Sequence, residues 1–165
     1  MTDIEIAPAV ADDAGEILTL QRAAFLRDAQ LYGDPFLPSL VQTAAEIREE
    51  ITGPDMIVLK ATRHHRIVGS VRGRIDGTTC TIGRLMTAPD LEGSGIGGRL
   101  LAAIEAVAAS RVARFELHTG TRSEANIAMY ERRGYREYHR HEEGPTLSVV
   151  SMEKPVASSS GDDDV

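Results

Sequence analysis

The chain has 165 residues, 42% of them hydrophobic and 26% charged, which is long enough for one domain with its own core and ordinary in composition for a globular protein. Its formal net charge of −7, part of it carried by Asp162, Asp163 and Asp164, argues against nucleic acid as the main partner and is compatible with a cationic substrate. No stretch is apolar enough for a membrane span, the first residues lack the pattern of a signal peptide, and the lone Cys80 excludes an internal disulfide, so a cytoplasmic location is expected.

Ile4 and Ile6 alternate along a short first strand that ends at Pro8. Asp12 or Asp13 is placed to cap a helix reaching to about Gln30, along which Ala14, Ile17, Leu18, Ala24 and Phe25 keep helical spacing. Tyr32 to Leu40 carries Gly33, Asp34, Pro35 and Pro38 and reads as a loop. Thr43 and Glu46 form a capping box that opens a short helix to Ile51, stopped by Gly53-Pro54. Met56 to Ala61 and Ile67 to Arg74 read as strands joined by a turn at Arg63-His64-His65-Arg66. Asp76-Gly77 is a hairpin signal before a third strand, Thr79 to Thr87, in which Cys80 reads as a small buried residue.

After that strand, Ala88-Pro89 breaks the pattern and Glu92-Gly93-Ser94-Gly95-Ile96-Gly97-Gly98 makes a glycine-dense turn. A helix follows, with Leu100, Leu101, Ile104, Val107 and Ala108 on one face. Ala113 to Thr119 is a strand that points Phe115 and Leu117 one way and Glu116 and His118 the other. Ser123 to Arg133 is a helix ended by Gly134. Tyr135 to His141 and Thr146 to Met152 form a last strand pair around Gly144-Pro145. The order is β-α-α-β-β-β-α-β-α-β-β. One domain is expected over 1–155, with a disordered acidic tail over 156–165. His139 and His141 alternate like a metal pair but lack a third ligand, so no metal site is expected.

Strand, glycine turn and helix together aim several unpaired backbone N–H groups at one point, where the helix dipole adds positive potential. A phosphate or pyrophosphate is the natural guest. A P-loop would need Gly-Lys-Ser/Thr, whereas Gly98 is followed by Arg99 and Leu100. Gly93, Gly95 and Gly98 match the dinucleotide spacing, but too little chain follows for a doubly wound sheet. The segment resembles the GNAT superfamily of acyl-CoA-dependent N-acetyltransferases, whose signature is a strand ending in Leu-x-Val-x-Pro, then Gln/Arg-x-x-Gly-x-Gly/Ala, then a helix. Leu85-Met86-Thr87-Ala88-Pro89 and Glu92-Gly93-Ser94-Gly95-Ile96-Gly97 occupy those places, with Glu92 where the family has Gln or Arg. Ser123 to Tyr135, with Asn126, Ala128, Tyr130, Gly134 and Tyr135, is similar to the family's closing motif, with Ser123 where Asn is common.

The resemblance implies a mixed α/β fold: a mostly antiparallel, twisted sheet of about seven strands flanked by about four helices. It implies acetyl-CoA as co-substrate and a primary amine as acceptor, attacked directly in a ternary complex. The pyrophosphate would meet the turn from Glu92 to Gly98, where Gly93, Ser94, Gly95, Ile96 and Gly97 supply backbone, with Arg99 a side chain in reach of a phosphate. The pantetheine arm would pair with the backbone at Leu85, Met86 and Thr87, where this strand splays from its neighbour, and Ser123 and Asn126 would meet the cofactor from the last helix. Tyr130 would be the general acid. Its phenol has a reference pKa near 10, stays protonated at pH 7 and can donate to the departing thiolate. Freeing an alkylammonium of its proton at pH 7 costs roughly 4–5 kcal/mol, so a base is needed. The strand from Thr79 to Thr87 has no acidic residue, which leaves Glu116 and His118 as candidates. Tyr32, Asp34 and Phe36 would shape the acceptor groove. The acceptor is a small-molecule or peptide amine, with neither membrane nor nucleic acid as partner, and the family often forms homodimers. The alternative is a non-catalytic acyl-CoA-binding regulatory module.

Overall fold

Apolar residues recurring every second position make half-buried strands, and those recurring every third or fourth make helices with one apolar stripe. Both surfaces are buried together when helices pack on the two faces of one sheet. The computed structural model describes residues 3–157. The strands are β1 (Glu5–Pro8), β2 (Met56–Arg63), β3 (Arg66–Asp76), β4 (Thr79–Thr87), β5 (Arg114–Gly120), β6 (Arg136–Glu142) and β7 (Ser148–Pro155). They join in a single sheet of order β1-β2-β3-β4-β5-β7-β6. Its neighbours are antiparallel except β4 and β5, which run parallel. A parallel pair needs a crossover, supplied by α5 (Ile96–Ala108).

The two faces are covered differently. Along β3, Gly69 and Gly73 lie under Ile96, Leu100 and Ile104 of α5. Arg72, pointing the other way, meets α1 (Ala14–Ala24) and α4 (Ala44–Thr52). α5 buries Ile96, Leu100, Leu101 and Ile104, at roughly 1.5–3 kcal/mol each. On the opposite face Ile17, Leu20 and Ile47 are buried beside a polar knot. There Arg72, only 3% exposed, bonds Gln21 at 2.9 Å and pairs with Glu50 at 2.9 Å. Burial pushes its guanidinium down to about 10, against the pull of Glu50. A charge this deep must be paired, so the knot fixes where α1 and α4 sit on β3.

Most local signals act where they are read. Thr43 Oγ1 accepts from Glu46 N at 3.2 Å while Thr43 N donates to Glu46 Oε1 at 3.1 Å, which is the capping box. His64 and His65 both take positive φ, 49° and 64°, as a two-residue hairpin turn requires. Cys80 is fully buried and its thiol is pushed up to about 11 by burial, as fits a core residue.

Four expectations are corrected. The helix from Asp12 to Gln30 is broken: a 3₁₀ turn covers Ala11–Asp13, α1 ends at Ala24, and α2 (Leu26–Tyr32) follows Phe25 at φ −94°, ψ 4°. Asp13 spends its carboxylate on Val10 N at 2.8 Å and Lys60 at 2.7 Å, not on capping α1. The loop from Tyr32 to Leu40 holds the end of α2 and the start of a short helix, α3 (Pro38–Val41), which Pro38 opens. The helices among the described residues number six. The last strand also runs further than expected: β7 reaches Pro155, and Val156 N donates to Ala113 O at 2.9 Å. The acidic segment 158–165 lies outside the described residues. No helix among the described residues is long and apolar enough to cross a membrane.

Candidate active site

The site begins with a mismatch between β4 and its two neighbours. Against β3, β4 holds register from Asp76↔Thr79 to Arg72↔Gly83 and again at Ser70↔Met86 and Gly69↔Thr87. One surplus β4 residue lies between these stretches, so β4 bulges at Arg84 and Leu85, and Arg84 takes φ 51°. Against β5, pairing stops at Ile82↔Leu117, although β4 runs on to Thr87 and β5 to Gly120. Beyond Ile82 the two strands part. The β4 backbone on this edge keeps hydrogen-bonding groups with no strand to receive them.

A cavity of about 750 Å³ opens where they part. Leu85, Met86 and Thr87 form its floor on β4, Gly93, Gly95, Gly97 and Gly98 its one end, and Asn126, Met129 and Tyr130 of α6 (Glu124–Arg132) its far wall. Phe25, Asp28 and Leu31 cover it. α2 is held in this covering position by its last turn. Tyr32 Oη lies 2.8 Å from Ser123 Oγ and accepts from Arg122 N at 3.2 Å, and Arg122 Nη1 donates to Leu31 O at 2.7 Å. A Cβ on Gly120 would sit 1.8 Å from the Tyr32 hydroxyl, so this clamp requires glycine there.

Gly93 and Gly95 take φ 78° and 86°, and Gly95 leads directly into α5. The first N–H groups of α5 have no intrahelical acceptor, and they face this end together with the helix dipole. Arg133 lies over the first turn of α5, so close that a Cβ on Gly98 would be 2.1 Å from its Nη2. Glu92 pairs with Arg27 of α2 at 3.2 Å across the mouth. The acidic residue at that position thus has a partner. Ser94, Ile96 and Arg99 do not line the cavity. Ser94 Oγ donates to Leu91 O, Ile96 is in the core, and Arg99 Nη2 reaches Ile4 O at 3.2 Å. The cation beside the turn is Arg133.

At the other end stands Tyr130. α6 closes with Gly134 N donating to Glu131 O at 3.1 Å and Tyr135 N to Tyr130 O at 3.0 Å, with Gly134 at φ 95°. This Schellman turn brings the Tyr135 ring edge-on to Tyr130, centroids 5.9 Å apart, and Tyr135 is tied by its hydroxyl to Glu105 at 2.8 Å. Tyr130 is therefore locked by its own helix end. Its hydroxyl bonds no protein group among the described residues. Burial, and then the charge of Asp28, push it up to about 12. Asn126 lines the same wall, while Ser123 uses its hydroxyl on Tyr32.

Glu116 and His118 do share a face of β5, as expected, but neither lines the cavity. Glu116 accepts from Arg114 at 2.7 Å, from Tyr138 at 2.9 Å, and lies 3.2 Å from His118 Nε2. His118 Nδ1 lies 2.8 Å from Ser151 Oγ. Partial burial opposes ionisation of Glu116, but its hydrogen bonds from Tyr138 and Arg114 outweigh it and hold the carboxyl below its ordinary value. That makes it a poor base. Tyr32 is buried in the clamp, Asp34 bonds Phe36 N at 2.8 Å, and Phe36 is 76% exposed. The His139 and His141 rings stack, and no group of three metal-ligating residues occurs among the described residues. Sequence reading missed Arg27, Asp28, Arg122 and Arg133. For Asp28 a signal existed: it shares a helix face with Phe25, Ala29 and Tyr32, where an acid is out of place.

The profile of the family described as Acetyltransferase (GNAT) family matches residues 21–135. Solved structures share the fold at low identity. A ribosomal-protein-alanine N-acetyltransferase from Escherichia coli superposes with a TM-score of 0.79 at 16% identity, over 96% of this chain and 97% of that one. PaiA N-acetyltransferase from Thermoplasma acidophilum, in complex with coenzyme A, gives 0.77 at 17% identity, over 93% and 99%. A spermidine N-acetyltransferase chimera of Vibrio cholerae SpeG and hSSAT gives 0.73 at 14% identity, over 93% and 96%. A search of curated protein sequences finds no match.

Proposed function

The chain belongs to the GNAT acetyltransferase family, and from that premise we propose that it moves an acetyl group from acetyl-CoA to a primary amine by direct attack in a ternary complex. The observation that carries this reading is the parting of β4 from β5 onto a cavity that holds both the glycine turn and the unpartnered Tyr130 hydroxyl. The residues present fit the co-substrate. The first turn of α5 and Arg133 suit a pyrophosphate, and the free edge of β4 from Leu85 to Thr87 suits the amides of a pantetheine arm. Bound there, acetyl-CoA supplies the thioester.

Tyr130 holds a proton at the end of that arm. A phenol near 12 is a weaker acid than a thiol near 8.5, so outright transfer to a free thiolate is uphill by roughly 5 kcal/mol. The proton is therefore shared with sulfur as the C–S bond breaks and charge develops there. The nitrogen, cationic after attack, is the stronger acid and makes the proton good. The elevated value has a use: the phenol stays protonated throughout the neutral range.

Thermal unfolding with acetyl-CoA, CoA, NAD and ATP at matched concentration tests the ligand. At about one hundred times Kd, CoA and acetyl-CoA should each add roughly 2.7 kcal/mol, while NAD and ATP shift nothing. Thiol release over a panel of amines then tests the reaction. CoA binding without turnover on any amine would favour the non-catalytic module instead.

A further inference from the structure

The cavity carries one partly buried charge, and the family motifs do not account for it. Asp28, in the middle of α2, lines it with its carboxylate half-buried. It makes no hydrogen bond or ion pair with another described residue. Its sequence neighbour Arg27 is engaged by Glu92. Buried carboxylates are ordinarily paired, because desolvation without a partner is costly. Asp28 shares the lining with six other charged residues. Arg133 lies at the glycine end over α5, Arg27 and Glu92 neutralise each other at the mouth, and Arg122 is spent on Leu31 O. Arg132 and Glu124 on α6 complete the set. Asp28 and Tyr130 line the same cavity, and the charge of Asp28 adds to burial in pushing the phenol up. Of the three acids that line the cavity, Asp28 alone is partly buried, while Glu92 and Glu124 are exposed.

Building on the acetyl-transfer reading above, we propose that Asp28 is the acceptor-binding carboxylate of this site, pairing with the ammonium of a cationic alkylamine and taking its proton. The step balances. The ammonium N–H proton moves to an Asp28 oxygen, the freed nitrogen forms the bond to the acetyl carbon, and the C–S bond breaks with its electron pair going to sulfur. Tyr130 protonates the sulfur and regains a proton from the new amide nitrogen, and Asp28 returns its proton to water. This supplies the base that β4 lacks and that the engaged Glu116 does not provide. Burial of Asp28, only partly offset by the charge of Arg27, raises its carboxyl above the ordinary value, which brings it closer to the amine it must deprotonate.

The full chain is assayed by acetyl-CoA-dependent thiol release. Spermidine and a peptide with a free N-terminal alanine serve as cationic acceptors, and p-anisidine, uncharged at pH 7, as the neutral one. CoA affinity is measured separately by calorimetry. Asp28→Asn should lower kcat/KM for the cationic acceptors by about 100-fold, mostly through KM at neutral pH, and at least tenfold less for p-anisidine. In the wild type kcat/KM should fall on the acid side as Asp28 takes up a proton, and Asp28→Asn should remove that limb. Asp28→Glu should recover part of the loss, and CoA affinity should not move. Equal losses for charged and neutral acceptors, an unmoved pH profile, or lost CoA binding in both variants would overturn the role of Asp28 and leave acetyl transfer standing. A wild type that binds CoA but turns over none of these amines would overturn both.

Discussion

The two ends of the cavity are built from different material. The glycine end is made of backbone: left-handed Gly93 and Gly95, the N–H groups of the first turn of α5, and one guanidinium laid over them. The Tyr130 end is made of side chains brought from α2 and α6, about a hundred residues apart in the chain. A backbone site tolerates changes of side chain but not of conformation. A side-chain site is the reverse, since its geometry depends on packing while its chemistry rests on single atoms. Substitutions at the two ends should therefore fail in different ways.

The largest effect is expected at the side-chain end. Tyr130→Phe should lower kcat by about 100-fold or more while CoA affinity, read by calorimetry, stays put. A variant that retained kcat would move the proton source elsewhere. The pH profile sharpens the point. With the folded phenol raised from 10 to about 12, no alkaline limb in kcat should arise from Tyr130 below about pH 10. The same shift predicts that folding stability falls as pH rises past 10, because the unfolded phenol ionises first, and that Tyr130→Phe removes this part of the fall.

At the backbone end, Gly95→Val places a β-branched side chain at φ 86°. CoA affinity should fall roughly tenfold to a hundredfold, from strain of about 1–3 kcal/mol, with little change in the chemical step once saturated. Stability of the cover ranks next. Gly120→Ala would put a Cβ 1.8 Å from the Tyr32 hydroxyl, and should cost about 1–3 kcal/mol in chemical denaturation as α2 loses its anchor. Its amine KM should suffer more than its CoA affinity. The smallest effect is expected for Arg27→Ala. The ion pair with Glu92 is exposed, with 78% of the Arg27 side chain accessible, and should change Tm by no more than a degree or two. A large loss of CoA affinity in that variant would show that Arg27 serves the phosphates and not the mouth.

The predicted strands are close to those formed, and the reason is local. Period-two patterns, the Asp76-Gly77 turn and the Thr43–Glu46 box each act within a few residues. The first helix was misread for the opposite reason. Its apolar period continues past Phe25, but Gln21 is held by Ser39 and Arg72, and Tyr32 by Arg122 and Ser123, so the chain breaks to satisfy both. Arg99 and Arg133 show the same limit at the site. Arg99 is nearer the glycine turn in sequence, yet Arg133 is the one that lies against it.

The sequence by itself determined the family, the strand order along the chain, the glycine turn and the tyrosine at the end of the last helix. Each of these is encoded by contiguous residues whose conformational preferences act at short range. Only the tertiary structure decided that β4 leaves β5 at Ile82, that α2 covers the opening, and that Asp28 and Tyr130 line one cavity. Those facts depend on bulge register and on contacts between distant segments, where packing outweighs local propensity and no short-range pattern records the outcome.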